Sequence, residues 1–224
     1  MHEVDLRTWR RRQHFDLFST FNHPHFNMSA NLEVTAFHQR VRNSGVSFTI
    51  AFVYVIARAA NAIPEFRQRI RSGRVVEHDI VSPSFTVLVD DDLFSFCTVP
   101  YSEPFADFAG RATAVIAHVK QHPTLEIDPS RDELLFMTAL PWVSFTSFAH
   151  PMRLHPADSI PRFAWGRFFQ EGQSLKIPLS VQGHHALMDG IHMAKFYAKV
   201  EEDLQHPDYV ADGRSLQRAS HTSF

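Results

Sequence analysis

From Leu175 to Gln182 apolar and polar residues alternate (Leu175, Ile177, Leu179 and Val181 on one side), the two-residue period of a half-buried strand. Directly after it the period changes. Met193, Phe196, Val200 and Leu204 recur every three or four positions with Lys and Glu between them, which predicts a helix opened by Asp189-Gly190 and ended near His206-Pro207. The same helical spacing places Leu32, Ala36, Phe37 and Val41 on one face of a segment that begins at Asn31 and closes at Asn43-Ser44-Gly45. Ser47 to Ile63 is apolar nearly all round, as a buried helix ended by Pro64 should be. A further helix runs through Phe105, Phe108, Ala112, Val115, Ile116 and Val119 and stops at His122-Pro123.

Strand patterns cover Val75–Ile80, Phe85–Val89 and Phe94–Val99, with Asp90-Asp91-Asp92 as an acidic turn between the last two. Leu134–Ala139, Trp142–Phe148 and Arg162–Phe169 also read as strands, and the proline-bearing stretch 150–161 connects the last two. From Leu134 to Gln182 strand follows strand with no helical crossover between them. That predicts an α/β (α+β) fold, a mixed β-sheet flanked by helices, in one domain over residues 1–212 with a loose tail over 213–224.

Composition narrows the function classes. The 224 residues carry 22 Lys and Arg against 24 Asp and Glu, so the formal net charge is -2 and gives no basis for a nucleic-acid or membrane partner. No apolar run is long enough to span a membrane and the Arg-rich start has no signal-peptide pattern, so a cytoplasmic location is expected. Cys97 is the single cysteine, which excludes an internal disulfide. The 21 Phe imply large core or interface area.

His184 and His185 stand at the mouth of the Leu175–Gln182 strand, with the carboxylate of Asp189 four residues past the second. A neutral imidazole there can take a proton near pH 7. His23-x-His25 could supply half a metal site but has no third ligand nearby, and adjacent histidines at a strand end diverge, so no metal is expected. A metal-dependent hydrolase, and a binding module that kept the fold without catalysis, are the competing readings.

The segment HHALMDG (184–190) resembles the HHxxxDG signature shared by chloramphenicol acetyltransferases and the catalytic cores of 2-oxo acid dehydrogenase acyltransferases. WRRRQHF (9–15), ALPWVSFTSF (139–148), QEG (170–172) and PLSVQGHHALMDGIH (178–192) match the type A chloramphenicol O-acetyltransferases in order and spacing. The resemblance implies the CoA-dependent acyltransferase fold, acetyl-CoA as co-substrate, a small-molecule acceptor alcohol, and a homotrimer with active sites between subunits. It also implies roles. His185 would be the general base, Thr138 the hydroxyl that meets the oxyanion, and Arg11 with Asp189 a structural pair holding the histidine turn. Phe18, His23, His25, Phe94, Phe148 and His150 would bind the acceptor, and Arg167 the CoA phosphates.

The acceptor pocket departs from the family pattern. Phe18 stands where relatives tend to have a tyrosine, and Asn22-His23-Pro24-His25 is more polar than usual. His150 replaces an aliphatic residue and Ala164 a threonine. A same-fold enzyme acting on a different small alcohol or amine is therefore the main alternative.

Overall fold

In a computed structural model of the chain, residues 1–154 and 156–210 are described; the expected tail, 213–224, lies outside them. In chain order the elements are β1 (His2–Glu3), α1 (Arg12–Phe18), β2 (His25–Glu33), α2 (Thr35–Ser44), α3 (Phe48–Asn61) and α4 (Pro64–Arg67). There follow β3 (Gln68–Arg71), β4 (Arg74–Glu77), β5 (Ser82–Leu88), β6 (Phe94–Thr98), α5 (Phe105–Gln121) and β7 (Leu134–Ala139). The last elements are β8 (Arg162–Trp165), β9 (Phe169–Glu171), β10 (Ser174–His184) and α6 (Gly190–Gln205).

The main sheet runs β2-β10-β8-β7-β5-β6, with β9 paired to the start of β10. It is mixed: β5 with β7 and β7 with β8 are parallel, and the other pairs are antiparallel. Phe85, Leu135, Met137, Phe163, Trp165, Leu179 and Val181 point from one face into a core shared with α2, α3, α5 and α6. The helix α3 is buried on every side from Ile50 to Ala60 apart from Arg58, as its apolar composition requires. Pro64 then starts α4, where its missing N–H costs nothing.

The opposite face of the sheet is polar. Register places Ser29, Ser180, Ala164 and Thr138 in one row across four strands, and Asn27, Gln182, Arg162 and Phe136 in the next. Three of this face's polar side chains, Ser180, Asn27 and Gln182, are met by the connection after β7. Ser180 Oγ and Asn27 Nδ2 both donate to the Phe148 carbonyl at 2.7 Å, and the His150 N–H donates to Gln182 Oε1 at 2.9 Å.

Four expectations need correction. Helix α2 begins at Thr35, not Asn31, because 25–33 is a nine-residue strand laid antiparallel along β10. Trp142–Phe148 forms no strand. Pro141 cannot donate to a ladder, the Val143 N–H turns back to the Leu140 carbonyl, and the Phe148 carbonyl is taken by side-chain donors. Arg162–Phe169 is split into β8 and β9 at Gly166. A Cβ there would come within 2.7 Å of the Val143 carbonyl oxygen and 2.8 Å of Pro178, so only glycine permits the crossing. Val75–Ile80 shortens to β4 and joins a separate sheet, β1-β4-β3. Its partner β3 has no strand-like pattern, since Arg69 sits in it fully buried and donates to the carbonyls of Phe66, Gln68, Asp132 and Leu134.

Candidate active site

The end of β10 delivers His184 and His185 to a tight turn, and α6 starts immediately after it. Asp189 caps that helix: its Oδ1 accepts from the Ile191 N–H at 3.2 Å. Gly183 admits Met188 beneath the strand end, where a Cβ would lie 2.3 Å from its sulfur. The turn is closed from outside by the N-terminal segment. Arg11 Nη1 donates to Asp189 Oδ2 at 2.7 Å, both side chains mostly withdrawn from solvent. Burial, the largest single influence on Asp189, raises its pKa. The Arg11 hydrogen bond and charge, with His192 and the Ile191 N–H, outweigh it and hold the carboxyl below its ordinary value.

The two histidines face different surroundings. The His185 ring lies flat on Phe18, centroids 3.8 Å apart and planes 6° off parallel, with Phe26 at 4.7 Å on a tilt. Its backbone N–H donates to the Pro24 carbonyl at 2.7 Å. Its Nδ1 is buried without a hydrogen-bond partner among the described residues, which leaves Nε2 as the nitrogen able to meet an acceptor. His184 turns inward, 3% exposed, and its Nδ1 accepts from the Ala186 N–H at 3.2 Å. Burial first, then the neighbouring His25, push its pKa down to about 4.

The remaining candidate residues separate into two groups. His25 is buried against His184, with Nε2 2.6 Å from the Asp158 carbonyl; burial lowers its pKa too. His23 is exposed beside it. Phe148 and His150 pack edge to face over the polar side of the sheet. There burial, helped by Arg162, pushes His150 down to about 4. Phe94, 47% exposed, lies on β6 at the far edge, and Arg167 is exposed just past β8.

Thr138 is not near His185 in this chain. It shares a row with Ser180, two strands across on β10, and His185 lies five residues beyond Ser180, just past the end of that strand. At about 3.3 Å per residue and about 4.8 Å per strand, the two positions are roughly 19 Å apart. One tetrahedral centre cannot lie about 3 Å from both. Within one chain the groups around His185 and those around Thr138 therefore stand apart.

The three inward-facing histidines set an acid limit on the fold. A His with its folded pKa pressed to about 4 stays neutral in the fold while the unfolded chain gains a proton below its ordinary 6.5. Stability is therefore intact above pH 6.5 and is lost as pH falls toward 4, on the order of 3 kcal/mol for a ring as buried as His184. Melting temperatures at pH 7.5, 6 and 5 should fall in that order, and less steeply in His184→Asn. A melting temperature constant across that range would contradict this.

Sequence reading missed Phe26, which walls the His185 ring, and the Asn27–Ser180–Phe148 link. The signal was the alternation of His25, Asn27, Ser29, Asn31 and Glu33 with apolar residues. It gave His192 no role, although its Nδ1 accepts from the Asp189 N–H.

Comparison with known proteins finds relatives along most of the chain. The chloramphenicol acetyltransferase family profile matches residues 1–201. A chloramphenicol acetyltransferase of Klebsiella sp is 30% identical over 200 residues, 89% of this chain and 91% of that protein. Chloramphenicol acetyltransferase 2 of Escherichia coli is 33% identical over 196 residues, 86% and 92% of the two chains. A solved chloramphenicol acetyltransferase superposes with a TM-score of 0.81 at 28% identity, covering 90% of this chain and 98% of that one. A dihydrolipoamide acetyltransferase of Azotobacter vinelandii shares the fold at a TM-score of 0.66 and 16% identity, over 88% and 90%.

Proposed function

That this chain belongs to the chloramphenicol acetyltransferase family is the premise from which we propose its reaction: transfer of acetyl from acetyl-CoA to a hydroxyl of chloramphenicol, with His185 as general base. The observation that carries this reading is the Arg11–Asp189 pair, which joins residues 178 positions apart to close the turn bearing His185. Nε2 of His185 takes the proton of the acceptor hydroxyl as its oxygen attacks the thioester carbonyl. The Thr138 hydroxyl of a second copy donates to the oxyanion that forms. Collapse of that intermediate expels the CoA thiolate, and His185 returns the proton to it. Arg167, exposed beside the Thr138 half-site, is the cation we assign to the CoA phosphates.

A homotrimer completes the site. Its support is the roughly 19 Å between the half-sites of one chain and the apolar side chains exposed near each. Leu17 and Phe21 lie by His185, and Trp142 (63% exposed) and Val143 follow the Thr138 strand. Residues 1–212 are read as one acetyltransferase domain, consistent with a main core that runs from Leu32 to Val210. Among the described residues no helix is long and apolar enough to cross a membrane, and a cytoplasmic location is our reading.

A different small alcohol or amine as acceptor is the second reading. Phe18 lacks a phenol, Ala164 beside Thr138 offers no hydroxyl, and Arg162 and His150 bring polarity to the same face of the sheet. A missing hydrogen bond to a substrate hydroxyl costs roughly 1–3 kcal/mol, about 10- to 200-fold in affinity. Thiol release from acetyl-CoA should thus appear with chloramphenicol at a raised KM, from an assembly of about 77 kDa by light scattering (three times 25.7 kDa). No release at saturating chloramphenicol, from a trimer that binds acetyl-CoA, would overturn the first acceptor in favour of the second. A monomer in solution would overturn the shared site.

A further inference from the structure

The turn that carries His185 is held by a second set of contacts besides the Arg11 pair. His192 Nδ1 lies 3.0 Å from Asp189 Oδ1, yet the hydrogen bond it makes is as acceptor, from the Asp189 N–H at 3.1 Å. As acceptor it keeps its lone pair, which puts the ring proton on Nε2. Nε2 lies 3.3 Å from Glu65 Oε1, on α4 and far away in the chain. His192 is 7% exposed, and Glu65 is also mostly withdrawn from solvent. His192 occupies the third position of α6, where glutamate or glutamine ordinarily reaches back to the capping residue. Histidine adds a second, outward-facing nitrogen that such a residue lacks. Burial, the largest single influence, raises the Glu65 pKa, but His192, the Glu65 backbone and Arg11 together outweigh it and hold the carboxyl below its ordinary value.

We propose that Glu65 and His192 form a positioning relay: Glu65 fixes the ring and tautomer of His192, and His192 fixes the Asp189 peptide and with it the direction of the His185 imidazole. The relay rests on the reading of His185 as the base. Neither residue touches substrate in it. Arg11 restrains the Asp189 side chain through Oδ2, whereas His192 holds the Asp189 backbone N–H and lies against Oδ1, so removing either loosens the turn.

Ring nitrogen NMR of the whole enzyme, with His192→Leu as the assignment control, should show His192 as the neutral Nε2–H tautomer. The Nδ1–H tautomer would overturn the relay, and this measurement does not depend on what His185 does. In steady state His192→Leu should lower kcat about 10- to 100-fold with KM for acetyl-CoA within about twofold, since a base displaced by an ångström costs that much. His192→Gln, whose amide oxygen can still accept from the Asp189 N–H, should recover to within about fivefold of the parent. A kcat for His192→Leu within about twofold of the parent would overturn the relay, as would a His192→Gln no faster than His192→Leu. So would a loss of kcat that follows melting temperature equally in both variants. If the tautomer is as stated while His185→Ala keeps full activity, the base assignment fails and the relay with it.

Discussion

His185→Ala is expected to lower kcat by at least 10²- to 10⁴-fold, the usual contribution of a positioned general base, with little change in the KM for acetyl-CoA. The expectation rests on three features of the ring. It stacks on Phe18, its Nδ1 is buried, and its backbone is tied to Pro24, so one nitrogen in one orientation is offered to an acceptor. The neighbouring His184 offers no such group, being turned into the protein with a pKa near 4. Steady-state kinetics on both alanine variants, with assembly checked by light scattering, decide the matter. An active His185→Ala beside an inactive His184→Ala would reverse the assignment.

Thr138→Val should cost about 10²- to 10³-fold in kcat, the range found for losing one oxyanion donor. Valine preserves the branched shape on β7, so the row with Ala164 and Ser180 should stay packed and the loss reports the hydroxyl alone. Thr138→Ser keeps the donor and should stay close to the parent. Because Thr138 and His185 act from different chains in this reading, mixing the two inactive variants offers a direct check. Heterotrimers formed by refolding Thr138→Val with His185→Ala should regain activity, since some interfaces then pair two intact half-sites. A Thr138→Val enzyme within about threefold of the parent would remove the hydroxyl from the mechanism.

What was legible in the sequence was local. Periodicity found α3, α5, α6 and β10 because each has a single apolar face or is apolar throughout. It failed at β2, where the spacing of Leu32, Ala36 and Phe37 extended a helix backward over the end of a strand. It failed at Trp142–Phe148, where aromatic and β-branched residues mimic a strand although their surfaces face outward. The Arg11–Asp189 contact was accessible only by resemblance, since no property of either residue announces a partner 178 positions away. Glu65 had no signal at all, because its significance is conferred by α4 lying against the start of α6. The separation of Thr138 from His185 depends on strand order, which periodicity does not encode.

The contacts around His185 also limit how this enzyme can change its preferences. Phe18 and Phe26 press on the imidazole, and the Pro24 carbonyl holds its peptide, yet the first two flank the loop expected to meet the acceptor and Pro24 lies in it. Remodelling 19–25 to admit a new alcohol would move the base along with the pocket wall. Selection for a different acceptor through this loop therefore carries a toll on turnover with every acceptor, old and new. Substitutions on the opposite half-site, at His150, Arg162 or Ala164, make no such contact with His185 in the same chain. They offer the freer route by which one catalytic frame could be adapted to different alcohols.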